Sequence, residues 1–264
     1  MTPLPLRRAR AAADRLTRQI RIRSPEDIVL EDIAWMFGAR VERGDLPGAH
    51  ARLARIGDRA VIRVSTRVAD PGAERFSIAH ELGHLVLAHA TPAAADAVCG
   101  PTPPGAVTHE AEANAFASEL LMPEPLVRRS CEVSPVSLQV ARDLAQDYQV
   151  SLLAAALRFV ELTSERCALV LARKRRVEWV ARSANFGPYI PTGMPLDQAS
   201  VAIDFFTKGR LFAGCQPVPA DSWFEEDDAG DVEIMEDTAV VPGADAVMAL
   251  LWIPERAARR LERG

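Results

Sequence analysis

Cysteine is scarce in this chain, and its few copies stand far apart. The 264 residues include Cys99, Cys131, Cys167 and Cys215, and no two of them form a Cys-x-x-Cys pair. Disulfide-stabilised secreted domains are dense in cysteine, and zinc ribbons use paired cysteines. The sequence therefore argues against both classes and fits a reducing compartment.

Long apolar runs and a strong charge excess are also missing. No apolar run approaches the roughly 20 residues that a membrane-spanning helix needs. The arginines near the start of the chain are not followed by the apolar stretch of a signal peptide. The net charge of −5 does not indicate that the whole protein binds nucleic acid. We expect a cytoplasmic protein with no membrane partner.

The rest of the composition is that of a soluble globular protein, with 48% apolar and 25% charged residues. The first part of the chain predicts mostly helices. A helix over 4–23 carries seven arginines against one aspartate. It could contact nucleic acid or an acidic partner surface, but our default interpretation is a solvated helix face. Another helix is predicted from Ser24, which suits the cap position, and its apolar face extends to Phe37.

Alternating apolar and polar residues then predict a β-hairpin, "HARLARI" and "RAVIRVS", joined at 57–58. Its edge could pair with an extended substrate, which proline along 60–65 would test. The segment 91–108 is rich in proline, alanine, threonine and glycine and predicts a loop.

The later part of the chain changes character near residue 165. Two helices are predicted at 135–146 and 151–162, and then "CALVLARKRRVEWVARS" predicts two strands around a charged turn. "FFTKGRLFAG", the acidic run 225–237 and "VMALLWIP" predict further strands and long loops. We therefore expect an α+β chain in three parts: a motif-bearing domain at 1–125, a helical connector at 126–163, and an α+β domain at 164–264.

The stretch "FSIAHELGHLVLAH", residues 76–89, carries the chemistry. On a helix, residues four apart share a face, so His80 and His84 can direct imidazole nitrogens toward one metal ion. Glu81 can then act as general base toward a water molecule, as in zinc peptidases. The alternative is an apolar helix that happens to carry histidines, but burying these side chains without a partner is costly. Gly83 lowers helix propensity there, and a close approach of another segment would explain it.

A catalytic zinc needs a third protein ligand. His89 points roughly 140° away from His84 around the helix, so we assign it to the surface or to packing. The segment "HEAEANAFASELLM" offers Glu110, which borders an apolar stripe. Glu112 points roughly 200° from Glu110 and is kept as the fallback ligand.

Two neighbours of Glu110 complete the predicted site. Asn114 follows Glu110 by one helical turn, so it can hydrogen-bond the second nitrogen of a histidine ligand, or Glu110 itself. His109 could contact the transition state, although a histidine at a loop edge is more often polar surface.

The blocks "RFSIAHELGHLVLAH" and "EAEANAFASELLMP" resemble the ImmA/IrrE family of bacterial metallopeptidases in order, spacing and flanking residues. The resemblance implies a zincin-like domain of the gluzincin type, with His80, His84 and Glu110 as metal ligands and Glu81 as the base. We expect zinc as the metal, with manganese as a second possibility, because sites of two histidines and a glutamate accept several divalent ions. The resemblance also implies site-specific cleavage of a helix-turn-helix repressor, which switches on stress or mobile-element genes, and a GAF-like sensor domain at 164–264.

Two other interpretations stay open. The connector helices could form a DNA-binding helix-turn-helix, but charges balance over 125–163 and "SLLAAALRFVEL" is almost wholly apolar. A base-reading helix needs exposed polar side chains, so we do not expect direct DNA binding. Alternatively the chain is a transcription factor or sensor with a structural zinc. Such sites normally have four protein ligands, often cysteines, and none of the cysteines is next to the motif.

Overall fold

A computed structural model describes residues 3–56, 59–88, 108–224 and 231–262. The chain divides into two compact units. The first comprises Met1–Val127 with Leu144–Ser151, and the second comprises Arg128–Asp143 with Leu152–Gly264. Within the described ranges, no helix combines the length and apolar character that crossing a bilayer requires.

The first unit combines helices with a small sheet. Its elements in chain order are α1 Leu4–Gln19, α2 Leu30–Met36, β1 Ala39–Gly44, β2 Ala51–Ile56, β3 Arg59–Ser65, α3 Pro71–Val86, α4 His109–Leu121 and α5 Glu124–Val127. The strand order is β1-β3-β2, with β1 parallel and β2 antiparallel to β3. Helix α4 packs against both α1 and α3.

The predicted hairpin is confirmed as β2 and β3, although its joining residues 57–58 lie outside the described ranges. The strand β3, however, lies in the centre of the sheet, between β1 and β2. Proline along 60–65 would therefore break the sheet itself, and the edge of this hairpin is β2.

The helix predicted from Ser24 begins too early, whereas its predicted end near Phe37 is confirmed. Residues Pro25–Asp27 form a short 3₁₀ turn, and α2 begins only at Leu30. Gly38 adopts a left-handed conformation with φ 71° and ends the helix, because glycine enters that region without steric cost. The chain then forms β1, whose parallel pairing with β3 has no local signature in the sequence.

The second unit is built on a five-stranded antiparallel sheet of order β5-β4-β8-β7-β6. Its elements are α7 Leu152–Leu162, β4 Cys167–Arg173, β5 Arg176–Arg182, α8 Ile203–Lys208, β6 Gln216–Pro219, β7 Glu233–Val241, β8 Ala246–Trp252 and α9 Glu255–Leu261. Helix α6, Leu138–Tyr148, contributes its first part to this unit and its last part to the other.

The core of the second unit contains large aromatic side chains, including Phe186, Trp223 and Phe224.

The strands predicted at "CALVLARKRRVEWVARS" and "VMALLWIP" are confirmed as β4, β5 and β8. The prediction for "FFTKGRLFAG" is wrong, because "FFTK" lies in α8. That helix ends where Gly209 turns left-handed with φ 64°.

The mixed α+β class is confirmed by these helices and two sheets. The likeness of the second unit to a GAF domain stays a prediction, as do the boundaries at 125 and 163. Most of the predicted loop 91–108 and the start of the acidic run, 225–230, lie outside the described residues.

Candidate metal centre

Helix α3 brings the two motif histidines together. It begins at Pro71, and the Asp70 side chain caps it by accepting a hydrogen bond of 2.9 Å from the Gly72 backbone N–H. One turn apart on this helix, His80 and His84 are buried, and their Nε2 atoms lie 3.0 Å from each other. The helical spacing therefore directs both imidazoles to one point, as the sequence predicts.

Helix α4 supplies the third group. Thr108 caps this helix by accepting from the Ala111 backbone N–H at 3.1 Å, which orders the first turn that carries Glu110. The carboxylate oxygens of Glu110 lie 3.1 Å from Nε2 of His80 and 3.3 Å from Nε2 of His84. Three donor side chains from two helices, His80, His84 and Glu110, thus form a compact triangle.

The close approach of the two helices depends on Gly83, which faces α4 from the middle of the motif. A Cβ added to Gly83 would lie 3.0 Å from Cα of Ala113 and 3.1 Å from its carbonyl oxygen. These contacts are tighter than ordinary van der Waals packing. The expectation that another segment lies tightly over Gly83 is confirmed.

The donor set fits a divalent metal ion. Two imidazole nitrogens and a carboxylate oxygen are borderline ligands of the kind that zinc takes. Tetrahedral coordination at 2.0–2.1 Å sets neighbouring ligand atoms about 3.3 Å apart, close to the separations observed. Among the described residues, His80, His84 and Glu110 form the group that could hold a metal, and Glu112 is not part of it.

Asn114 holds one of these imidazoles in place. Its Oδ1 accepts a hydrogen bond of 2.7 Å from Nδ1 of His80. An amide oxygen only accepts, so Nδ1 of His80 carries a proton, and Nε2, which faces the centre of the triangle, is the nitrogen that would bind a metal ion. Of the two hydrogen bonds considered for Asn114, to a histidine or to Glu110, the structure shows the one to the second nitrogen of His80.

Glu81 lies beside the triangle but outside it. Its carboxylate is buried and accepts a hydrogen bond of 2.9 Å from the Leu53 backbone N–H of β2. Burial raises the pKa of Glu81, and nearby His80 only partly opposes this. A raised pKa makes the carboxylate a stronger base than a solvated glutamate.

Glu110 has the opposite electrostatic character. Its hydrogen bond with His80 lowers its pKa, against the opposing effect of partial burial. The ionised form, which binds cations, is therefore favoured. The two carboxylates differ in environment, one suited to proton transfer and the other to holding a cation.

The remaining predicted residues are either absent from the metal-binding group or outside the described residues. His109 is the first residue of α4, and its side chain is exposed. His89 lies outside the described residues. The sequence did not identify Leu53 as a partner of Glu81, since nothing local links them. The Thr108 cap had a visible signal, a threonine before an acidic first turn.

Comparisons with known proteins found one matching family model and a similar solved structure. Residues 36–160 match the family model described as Peptidase_M78, IrrE N-terminal-like domain. A solved structure described as a Mycobacterium tuberculosis transcriptional regulator has a TM-score of 0.59 and 18% sequence identity, covering 95% of this chain and 90% of that chain. At that identity, the likeness concerns the fold alone. No curated protein matches the chain.

Proposed function

We propose, from the membership of residues 36–160 in the IrrE N-terminal-like family of Peptidase_M78 domains, that this chain is a metal-dependent endopeptidase. The observation that carries the proposal is the triangle of His80, His84 and Glu110 with the buried Glu81 beside it. A set of three protein ligands leaves a coordination position open for chemistry.

This arrangement favours an enzyme over a protein with a structural zinc. Structural sites are normally closed by four protein ligands. In the part of the chain that the structure describes, the cluster contains three such residues and no cysteine. A structural site would also give the buried carboxylate of Glu81 no task, whereas a peptidase needs a base at that place.

The roles follow from the chemistry of each group. His80, His84 and Glu110 would hold the divalent ion. When bound, such an ion polarises the scissile carbonyl and acidifies water. Glu81 removes the proton of the attacking water and delivers it to the leaving amine. Asn114 keeps His80 in the tautomer that offers Nε2. Zinc is the first candidate and manganese the second, because this donor set accepts several divalent ions.

The strand β2 would align the substrate. The Leu53 N–H points away from β3, because it donates to Glu81, whereas the His50 carbonyl accepts from Ser65 at the end of β3. Along a strand, the backbone N–H and C=O groups of successive residues point alternately toward the partner strand and away from it. The backbone groups of β2 that point away from β3 therefore belong to Ala51, Leu53 and Arg55. An extended peptide pairing with this edge would pass beside the carboxylate of Glu81.

The resemblance to ImmA/IrrE proteins points to a helix-turn-helix repressor as the substrate, whose cleavage switches on stress or mobile-element genes. The test uses the repressor encoded beside this gene, incubated with purified protein with and without added zinc or manganese. We expect one defined cut, located by mass spectrometry, that requires the metal and disappears in Glu81→Gln. The mechanism is wrong if Glu81→Gln cleaves at the wild-type rate.

A further inference from the structure

A groove on the first unit has neither histidine of the triangle nor Glu110 in its lining. It has a volume of about 480 Å³, and α1, the end of α2 and the end of α3 line it. Phe37, Val86 and Leu87 contribute apolar surface, together with Leu16 of α1. Within the residues that the structure describes, the groove therefore has an apolar floor.

Two arginines of α1 line the same groove. Arg8 and Arg15 are exposed, and no acidic residue is among the groove's lining. Neither makes an ion pair with another residue in the described ranges, whereas Arg18 on the same helix is neutralised by Asp14 at 3.0 Å. The groove thus presents two unneutralised positive charges.

The spacing of these arginines matches a helical partner. Arg15 follows Arg8 by seven positions, which is about two helical turns or roughly 10.5 Å. Between them stand Ala11 and Ala12, whose small side chains leave room over the floor. Carboxylates two turns apart on a docked helix would reach both guanidinium groups while apolar side chains entered the groove.

The surface next to the groove also combines exposed apolar side chains with an arginine. Trp35 and Met36, which precede Phe37, are 65% and 55% exposed. The guanidinium carbon of Arg40 lies 5.4 Å from the centre of the Trp35 ring. Contiguous exposed apolar residues of this size mark interaction sites more often than plain surface.

We propose that this groove binds an acidic amphipathic segment of a partner protein, with its apolar side chains on the floor and its carboxylates on Arg8 and Arg15. Charge complementarity selects the acidic segment, and helix-in-groove recognition supplies the apolar contacts. A nucleic acid fits less well, because it would set hydrated phosphates against an apolar floor. The inference does not depend on the proposed proteolysis, since it concerns binding without turnover.

The test measures binding to the full chain by fluorescence anisotropy. The probe is a labelled 15-residue helical peptide with leucines on one face and glutamates two turns apart, and its control has glutamine in place of glutamate. We expect the glutamate peptide to bind about tenfold tighter than the glutamine peptide, and the double variant Arg8→Glu with Arg15→Glu to lose about tenfold in affinity. Ala11→Gln leaves the charge unchanged and places a larger side chain over the apolar floor between Arg8 and Arg15. It should therefore also weaken binding.

The matched control is the double variant Arg7→Glu with Arg210→Glu, which changes the net charge equally at two exposed arginines outside the groove. It should bind the peptide as the wild type does. Equal losses in the two double variants would overturn the proposal, as would equal binding of the two peptides or no binding at millimolar concentration. Tighter binding of a DNA duplex that depends on Arg8 and Arg15 would assign the groove to nucleic acid and overturn it too. Self-association abolished by the Arg8 and Arg15 reversal would assign the groove to a second copy of the chain.

Discussion

Gly83 of α3 lies against the backbone of Ala113 in α4, so closely that a Cβ on Gly83 would be 3.0 Å from Cα of Ala113. His84 follows Gly83 directly, and Glu110 lies one turn before Ala113. The contact therefore sets the distance between the histidine helix and the helix that carries Glu110. Gly83 lowers the helix propensity of α3 locally, but it lets α4 approach closely enough for Glu110 to reach His80 and His84.

Replacing Gly83 with alanine should push α4 away from α3. Overpacking of this kind costs about 1–3 kcal/mol of unfolding free energy. We expect a lower melting temperature and weaker zinc binding, measured by scanning calorimetry and by competition with a chromogenic chelator. Gly187→Ala is the matched control, because a Cβ there meets nothing within 4 Å. Wild-type zinc affinity in Gly83→Ala would contradict the account.

Asn114 should matter for metal affinity more than for folding. Asn114→Ala removes the acceptor of the His80 Nδ1 proton, and the loss of such a partner typically lowers metal affinity about 10–100-fold. Asn114→Asp retains an acceptor oxygen and should restore most of the affinity. The measurement is zinc binding at fixed pH, with Asn185→Ala, which loses a hydrogen bond in the second unit, as the control. Equal affinity in the alanine and aspartate variants would show that the contact does not orient His80.

The buried Glu236 should make the unfolding free energy of the second unit depend on pH. This buried side chain accepts hydrogen bonds from the backbone N–H groups of Val201 and Ala202 and from Nε1 of Trp223. Burial nevertheless raises its pKa from the ordinary 4.5 to about 7. Because the folded-state pKa is the higher one, the stabilisation is complete below about pH 4.5 and is lost as the pH rises through about 7.

The measurement is the unfolding free energy of wild type minus that of Glu236→Gln, from urea titrations between about pH 5 and pH 8. We expect this difference to fall with rising pH by up to about 1.4 kcal/mol per unit, since glutamine cannot ionise. Glu233→Gln, at an exposed position of the same strand, should leave the pH profile of the wild type unchanged. Parallel profiles for wild type and Glu236→Gln would contradict the expected shift.

The sequence predicted the metal cluster well because its parts are local. His80 and His84 need only a helix, and Glu110 borders the apolar stripe that turns α4 toward its neighbours. Gly83 carried the further signal of a close approach. Each of these inferences uses the period of a single helix, which the sequence displays directly.

Other non-local relationships were not predicted. The parallel pairing of β1 with β3 joins segments separated by a whole strand, and residues 25–41 carry an apolar pattern that also suits a helix. The hydrogen bond from Leu53 to Glu81 depends on how β2 packs beside α3. The helix α8 was not predicted, because its segment was assigned to strands and long loops, although Gly209 marks a helix end.

The central claim is that Glu110 completes the metal site with His80 and His84. Its most direct test is the metal content of purified wild type, Glu110→Ala and Glu112→Ala, measured by inductively coupled plasma mass spectrometry after dialysis against trace zinc. The account predicts one equivalent of metal in wild type and in Glu112→Ala, and a strong loss in Glu110→Ala with its fold intact by circular dichroism. Full metal content in Glu110→Ala, or its loss in Glu112→Ala instead, would contradict it.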